Sequence, residues 1–322
     1  MHMTYKVKLK LKGPLHIGYL DVVFEVSEAT IHADTIFGGL INGYNLLFGE
    51  QKTNDLIEKI KESNSELLIS SAFFYVGNKY FLPRPKGETF GLEDKIQQVK
   101  KIKKIKFVEE TILTESKSVG EENLSLPFLL ADKAQKELEE FYIILERPRV
   151  MVARNYAESN IFYFSEVHFK EDSGLWFYLK VSDDIEKEIL AALKLLSDEG
   201  IGGDRTYGFG QFDYDLIPIS LPEQGENYLL LSPYIPDSED YEENSKEITK
   251  FAKAYELRYR TGYIHNSDKK AKRVTMFAEG SVFTKPVKGK ILDVTPDNFE
   301  YDYRVYRYGK AFLLPFKGGN GK

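Results

Sequence analysis

The chain has 322 residues, 42% hydrophobic and 29% charged, with a net charge of −6. These values fit a globular protein large enough for two ordinary domains and exclude a generically basic nucleic-acid binder. The absence of cysteine excludes disulfides, thiolate catalysis and cysteine-ligated zinc, and no apolar run approaches the roughly 20 residues of a membrane-spanning helix.

The first residues run directly into a strand pattern without an apolar signal region, which predicts a cytoplasmic protein. Tyr5, Val7, Leu9 and Leu11 alternate with Lys6, Lys8, Lys10 and Lys12, a period-two strand with one buried face. The lysine face is expected to meet water or RNA. Gly13-Pro14 ends this strand. Asp34–Phe48 predicts a helix capped by Asp34 or Thr35, with Ile36, Phe37, Leu40, Ile41, Tyr44 and Leu47 on one side. A second helical stretch covers about 53–63. Leu67–Val76 and Lys79–Leu82 predict paired strands around a Gly77-Asn78 turn. Residues 83–135 hold Pro83, Pro85, Pro127, an acidic patch and the basic run Lys95, Lys100, Lys101, Lys103, Lys104 and Lys106. This stretch is expected to be a long insertion projecting from the first domain.

A second cycle begins near 137, with strands expected at 139–146, 160–170 and 175–182. Ser182-Asp183-Asp184 predicts the cap of a helix whose apolar face is Ile185, Ile189, Leu193 and Leu196, and Gly200 predicts its end. A glycine-rich stretch, 200–212, leads into another strand, and 228–316 is strand-rich and full of tyrosine and phenylalanine. The expected architecture is α+β: two ferredoxin-like (RRM-like) domains. The first covers 1–136 with the thumb-like insertion at 83–135, and the second covers 137–322 and carries the glycine-rich loop.

Gly200, Gly202, Gly203, Gly208 and Gly210 are too many for one turn. Successive exposed N–H groups can form an anion-binding nest, and Arg205 with Tyr207, Phe209 and Phe212 suits a phosphodiester and a stacked base. The alternative is a structural connection packed on its own domain. The stretch is not a Walker loop, since no Lys-Ser/Thr pair follows the glycines. His16, in Gly13-Pro14-Leu15-His16-Ile17-Gly18, is expected to be sterically open between its flanking glycines and could act as a general base, although a lone histidine is more often a hydrogen-bonded structural residue; Asp21 lies nearby without an evident metal partner. No serine–histidine–carboxylate or paired-carboxylate arrangement follows from spacing. His2, His16, His32, His168 and His265 have no metal-ligand spacing, so neither metal nor cofactor is expected. Phe81-Leu82-Pro83-Arg84-Pro85-Lys86 and the arginines Arg147, Arg149 and Arg154 suit phosphate contacts, although arginines also pair across subunit interfaces. Lys269, Lys270, Lys272 and Arg273 form a second basic run, and 237–247 is strongly acidic.

Taken together, these stretches resemble the RAMP superfamily of CRISPR proteins, and within it the Csm-type (type III-A) subunit at the 5′ end of the crRNA. The resemblance runs through Leu15–Gly18, Ala33–Leu40, Leu82–Lys86 and its lysine-rich sequel, Arg149–Arg154, Gly200–Phe212, Leu257–Ile264, Phe277–Phe283 and Val305–Phe312. It implies a non-catalytic subunit that holds the repeat-derived crRNA 5′ handle in antiviral defence. The implied neighbours are the large polymerase–cyclase subunit and the backbone RAMP subunit. The implied RNA-binding residues are His16, Gly18, Thr35, Arg84, Lys86, Lys103, Lys104, Arg149, Arg154, Gly202, Gly203, Arg205 and Tyr207. Gly202-Gly203-Asp204 is not the Gly-Gly-Asp-Asp palm motif of the polymerase–cyclase, since Arg205 fills the fourth position. The alternative is a metal-independent repeat-processing endoribonuclease of the same superfamily, with His16 as general base.

Overall fold

The computed structural model describes residues 2–18, 26–62, 67–92, 100–132, 138, 140–152, 159–241, 250–265 and 267–318. The N-terminal alternation becomes strand β1 (His2–Leu11), with Val7 and Leu9 buried. Helix α1 (Ala33–Phe48) and helix α2 (Glu50–Lys61) meet at Gly49, where a φ of 83° favours a residue without Cβ. The N-cap of α1 is His32, and neither Asp34 nor Thr35 caps it. The stretch expected as one strand at 67–76 divides into β2 (Leu67–Ile69) and β3 (Phe73–Val76). β3 turns through Gly77-Asn78 into β4 (Lys79–Pro83), with Tyr75 opposite Tyr80, as predicted.

The described part of 83–135 does not project. Strand β5 (Phe107–Glu109), the short helix α3 (Glu110–Thr114), β6 (Leu124–Ser125) and β7 (Phe128–Leu129) continue the main sheet beyond β4. Ile102, Ile105, Val108, Ile112 and Leu129 are buried there, and that apolar content holds the segment down. Outside the main sheet lies a ribbon of β8 (Tyr142–Val152) and β9 (Ser159–Phe169), which pair with each other. A bridge from Val167 to Leu15 and the packing of Tyr142, Val167 and Phe169 on the main core tie it down. Ile143, Ile144 and Leu145 are exposed in succession, so solvent reaches both faces.

Strand β10 (Ser173–Ser182) leads to helix α4 (Glu186–Glu199), which begins after Ile185 without the predicted side-chain cap, and then to β11 (Phe212–Pro218). Both strands flank β1 antiparallel. The sheet runs β11-β1-β10-β3-β4-β5-β7-β6, with β2 also on β10. Strand pairing therefore crosses the boundary expected at 136/137. The second strand–helix–strand cycle completes the sheet of the first, giving one β-α-β-β-α-β order. The two main helices pack together where glycines permit: a Cβ on Gly39 would lie 2.8 Å from Leu196, and one on Gly43 would lie 3.1 Å from the Ala192 carbonyl. Central strand β10 is buried on both faces. Leu175, Phe177, Leu179 and Val181 meet the helix layer, and Trp176 and Tyr178 meet a second core.

That second core is closed by the C-terminal region. Its strands are β12 (Asn227–Leu230), β13 (Ala252–Ala254), β14 (Leu257–Arg260), β15 (Val274–Phe277), β16 (Val282–Phe283), β17 (Gly289–Asp293), β18 (Tyr306–Lys310) and β19 (Leu313–Phe316). They form a sheet, β13-β16-β12-β19, and the ribbons β14–β15 and β17–β18. Leu229, Leu231, Phe312, Leu314 and Phe316 pack against Trp176 and Tyr178, and the Phe312 and Tyr178 rings stack at 5.4 Å. Among the described residues after 218 there is no α-helix. The fold is α+β, mostly strands, with α1, α2 and α4 on one face of the main sheet and the short α3 against the second core on the other.

Candidate nucleic-acid interface

The glycine-rich loop packs down on the segment that follows β1. The Gly203 N–H donates to the His16 carbonyl at 2.9 Å, the Gly210 N–H to the Pro14 carbonyl at 2.8 Å, and the Ile201 N–H to the Gly210 carbonyl at 3.0 Å. Gly202 has a φ of 94°, and a Cβ there would lie 2.3 Å from the His16 carbonyl oxygen. These glycines serve close backbone approach, and several N–H groups expected for an anion nest are used internally. His16 is buried, not open. Its Nδ1 lies 2.8 Å from the Ser165 carbonyl, and its ring stacks on Phe164 at 4.2 Å. Burial pushes its pKa down, so the imidazole is neutral near pH 7.

Arg149, from β8, clasps this assembly. Its guanidinium lies 3.8 Å from the Phe164 ring centroid and pairs with Asp204 of the loop. The buried Glu166 lies 3.8 Å away and also accepts from Arg147 at 2.9 Å. Arg149 is thus a strut between ribbon and loop rather than a free phosphate ligand. The tip of the loop remains outward: Tyr207 is 77% exposed, and Arg205 Nη2 lies 2.9 Å from His265 Nδ1.

The other predicted residues are spread more widely. Gly18 is exposed, with open space where a Cβ would stand. Arg84 donates to the Ile102 carbonyl at 2.9 Å, and Lys86 pairs with Glu256 at 2.5 Å. Lys103 and Lys104 are exposed on the sheet extension. Thr35 accepts from Arg260 at 3.2 Å. Asp21, Lys95, Arg154 and positions 242–247 of the acidic run lie outside the described residues. The β1 lysine face is largely neutralised within the chain. Lys6 pairs with Glu110 at 2.5 Å, Lys10 with Asp215 at 2.8 Å, and Lys12 with Asp213 at 2.7 Å.

Sequence reasoning missed a buried ionic network that ties α1 to the C-terminal region. Asp34 is fully buried and receives both Nε and Nη2 of Arg260 at 2.9 Å, and Nη1 of Arg307 at 2.7 Å. Burial alone would raise its pKa, but the two guanidinium groups hold it well below the usual carboxylate range. Beside it, His32 contacts Glu279 and Glu28, each at 2.6 Å. Burial and Arg260 oppose protonation of His32, and Arg258 Nη1 sits 2.7 Å from its Nε2; the two carboxylates outweigh them and carry its pKa to about 9. The only sequence trace was the alternation Leu257-Arg258-Tyr259-Arg260, which places both arginines on one face of β14.

This geometry sets a pH dependence. A folded pKa raised above the unfolded value of 6.5 means that the His32 contribution is complete below about 6.5 and is lost as pH rises through about 9. Each unit corresponds to about 1.4 kcal/mol. The melting midpoint of the native chain should fall more steeply than that of His32→Gln between pH 6.5 and 9. Parallel curves would show that the pair of carboxylates does not act on His32.

Among the described residues, no cluster of three His, Cys, Asp or Glu could hold a metal ion, and no helix is long and apolar enough to cross a membrane. The RAMP superfamily model matches residues 8–213, and the CRISPR Csm4 C-terminal domain model matches residues 223–316. A relative from Thermococcus onnurineus, "CRISPR system Cms protein Csm4", is 27% identical over 88% of this chain and 90% of its own. One of the same description from Streptococcus thermophilus is 24% identical over 97% and 99%. Among solved structures, a Csm3-Csm4 subcomplex of the type III-A CRISPR-Cas interference complex matches with a TM-score of 0.64. It is 22% identical and covers 98% of this chain and 99% of its own. A Csm1-Csm4 cassette in complex with cA4 matches with a TM-score of 0.63, at 22% identity and full coverage of both chains. The loop packed on the segment after β1 and the strand order around it lie within the first matched region, and the chain belongs to the RAMP superfamily, with a C-terminal region of the CRISPR Csm4 type.

Proposed function

We propose that this chain is the Csm4-type subunit of a type III-A CRISPR complex, holding the 5′ handle of crRNA without cutting it. In this reading it bridges the large polymerase–cyclase subunit and the backbone RAMP subunit. The observation that carries the reading is the outward tip of the glycine-rich loop. Tyr207 is presented to solvent beside the half-buried Arg205, on a base seated by Gly202, Gly203, His16 and Arg149. An arginine and an exposed ring side by side suit a phosphate and a base of single-stranded RNA. Lys103, Lys104, Arg84, Lys86, Gly18, Thr35 and Arg154 are further proposed contacts, spread more widely than the loop tip.

The partners are proposed by analogy with the similar solved chains, which lie in a Csm1-Csm4 cassette and a Csm3-Csm4 subcomplex. The fold is proposed as a ferredoxin-like unit over 2–218, with a divergent second unit from 227 to 316 and the β8–β9 ribbon as its thumb. Burial of His16 favours the non-catalytic role. Cleavage by 2′-OH attack needs one group to remove a proton and another to deliver one, and His16 is enclosed with Nδ1 already engaged.

The test is one gel with the purified chain, crRNA bearing an intact 5′ handle, and a handle-deleted RNA. Handle-dependent binding of uncut RNA is expected, with affinity falling more than tenfold between 50 and 200 mM salt because several phosphates are contacted. Equal binding of the handle-deleted RNA, or specific cleavage, would overturn the proposal.

A further inference from the structure

The β14–β15 ribbon has two unlike faces. Arg258 and Arg260 point inward to Glu28, His32 and Asp34. Leu257 and Tyr259 point outward, and Tyr259 is 54% exposed. The loop at its end folds back on itself: the Ile264 N–H donates to the Lys269 carbonyl at 2.9 Å, and the Ala271 N–H to the Gly262 carbonyl at 3.0 Å. This places Tyr263 directly opposite Lys270, with the Tyr263 ring 60% exposed.

Each exposed ring has its own cation. Arg273 lies 5.0 Å from the Tyr259 ring centroid, and Lys270 lies 4.8 Å from that of Tyr263. The same loop carries His265, which touches Arg205, so this surface continues the tip of the glycine-rich loop. The buried network anchors Arg258 and Arg260 and so fixes the β14 backbone that carries Tyr259. A fixed backbone lowers the entropy lost when something stacks on the ring.

We propose that the outer face of β14–β15 and its loop is a stacking site for single-stranded RNA, with bases on Tyr259 and Tyr263 and phosphates beside Arg273 and Lys270. Each ring–cation pair suits one base and one phosphate, since every base has a π-face. An acidic protein segment would satisfy the cations and leave the rings unused. The inference rests on the RNA-binding reading above and adds a second contact region to it, about the C-terminal region rather than the glycine-rich loop.

The test compares RNA affinity of the full chain with that of Tyr259→Ala/Tyr263→Ala and Tyr259→Phe/Tyr263→Phe, using handle-bearing RNA, handle-deleted RNA and poly-L-glutamate as probes. The rings are exposed, so both pairs should keep the native melting midpoint. The alanine pair should bind RNA about tenfold or more weakly, and the phenylalanine pair should bind within about threefold of native, because stacking needs the ring and not the hydroxyl. Unchanged RNA binding by the alanine pair alongside handle-dependent native binding would overturn the stacking site and leave the proposed function standing. Ring-dependent binding without handle preference would support the stacking site and remove the handle reading. Ring-dependent binding of poly-L-glutamate alone would overturn the site in favour of an acidic protein partner.

Discussion

Asp34→Ala is expected to lower the melting midpoint by on the order of 10 °C. The substitution leaves the buried Arg260 and Arg307 without the one carboxylate they bond directly, with side chains only 11% and 13% exposed. Removing one partner of a buried ionic group costs about 3–5 kcal/mol, since the remaining charge has lost both water and counter-ion. For a domain of roughly 150–250 residues each kcal/mol shifts the midpoint by roughly 2–4 °C, and for a longer chain by somewhat less. The loss is spread across two regions, because Asp34 sits in the first turn of α1 while the arginines come from β14 and β18. Lys272→Ala is the matched control. It removes an ion pair with Asp297 whose side chains are 49% and 87% exposed, and such pairs contribute less than about 1 kcal/mol. Calorimetry of the two variants decides the matter; equal midpoints would show that the network contributes nothing beyond a surface pair.

Gly210→Ala should disrupt the glycine-rich loop, and Gly208→Ala should not. Both residues have a positive φ, 68° and 81°, which costs an alanine about 1–2 kcal/mol. The difference is the surroundings. A Cβ on Gly210 would lie 1.9 Å from the Ile201 carbonyl oxygen, whereas nothing stands within 4 Å of one on Gly208. The clash at 210 is with backbone and cannot be relieved by a rotamer change. It would break the Ile201–Gly210 and Gly210–Pro14 hydrogen bonds that seat the loop on the segment after β1. The expected result is at least a tenfold loss of handle-RNA affinity and a midpoint several degrees lower for Gly210→Ala. Gly208→Ala should keep affinity within about threefold. Equal affinities would mean that the seating of the loop does not govern RNA binding.

The two variants also mark what was readable from residue order. The need for glycine at 200–210 was visible, because so many glycines near one arginine imply unusual backbone. What the loop packs against was not visible, since Pro14 and His16 are nearly 200 positions away. His16 shows the same limit. Flanking glycines suggested an open imidazole, and the structure closes it with Phe164 and Ser165 from a distant strand. Arg149, Lys86 and Arg84 suit phosphate contacts by residue type and by the family resemblance. Each has an internal acceptor or carboxylate that residue order does not disclose.

By itself the sequence determined the local elements and the superfamily. β1, the two main helices, the Gly77-Asn78 turn and β10 follow from periodicities of 2.0 and 3.6 within about ten residues, and such patterns need no partner to be recognised. Only the tertiary structure decided that β10 and β11 join β1 across the expected boundary. The same holds for the joining of β5, β6 and β7 to the main sheet while β8 and β9 pair only with each other as strands, and for the carboxylate that receives Arg260. Those outcomes depend on which apolar faces and charges meet across 100–270 residues of chain. That pairing is settled by the joint burial of whole surfaces, which no local window contains.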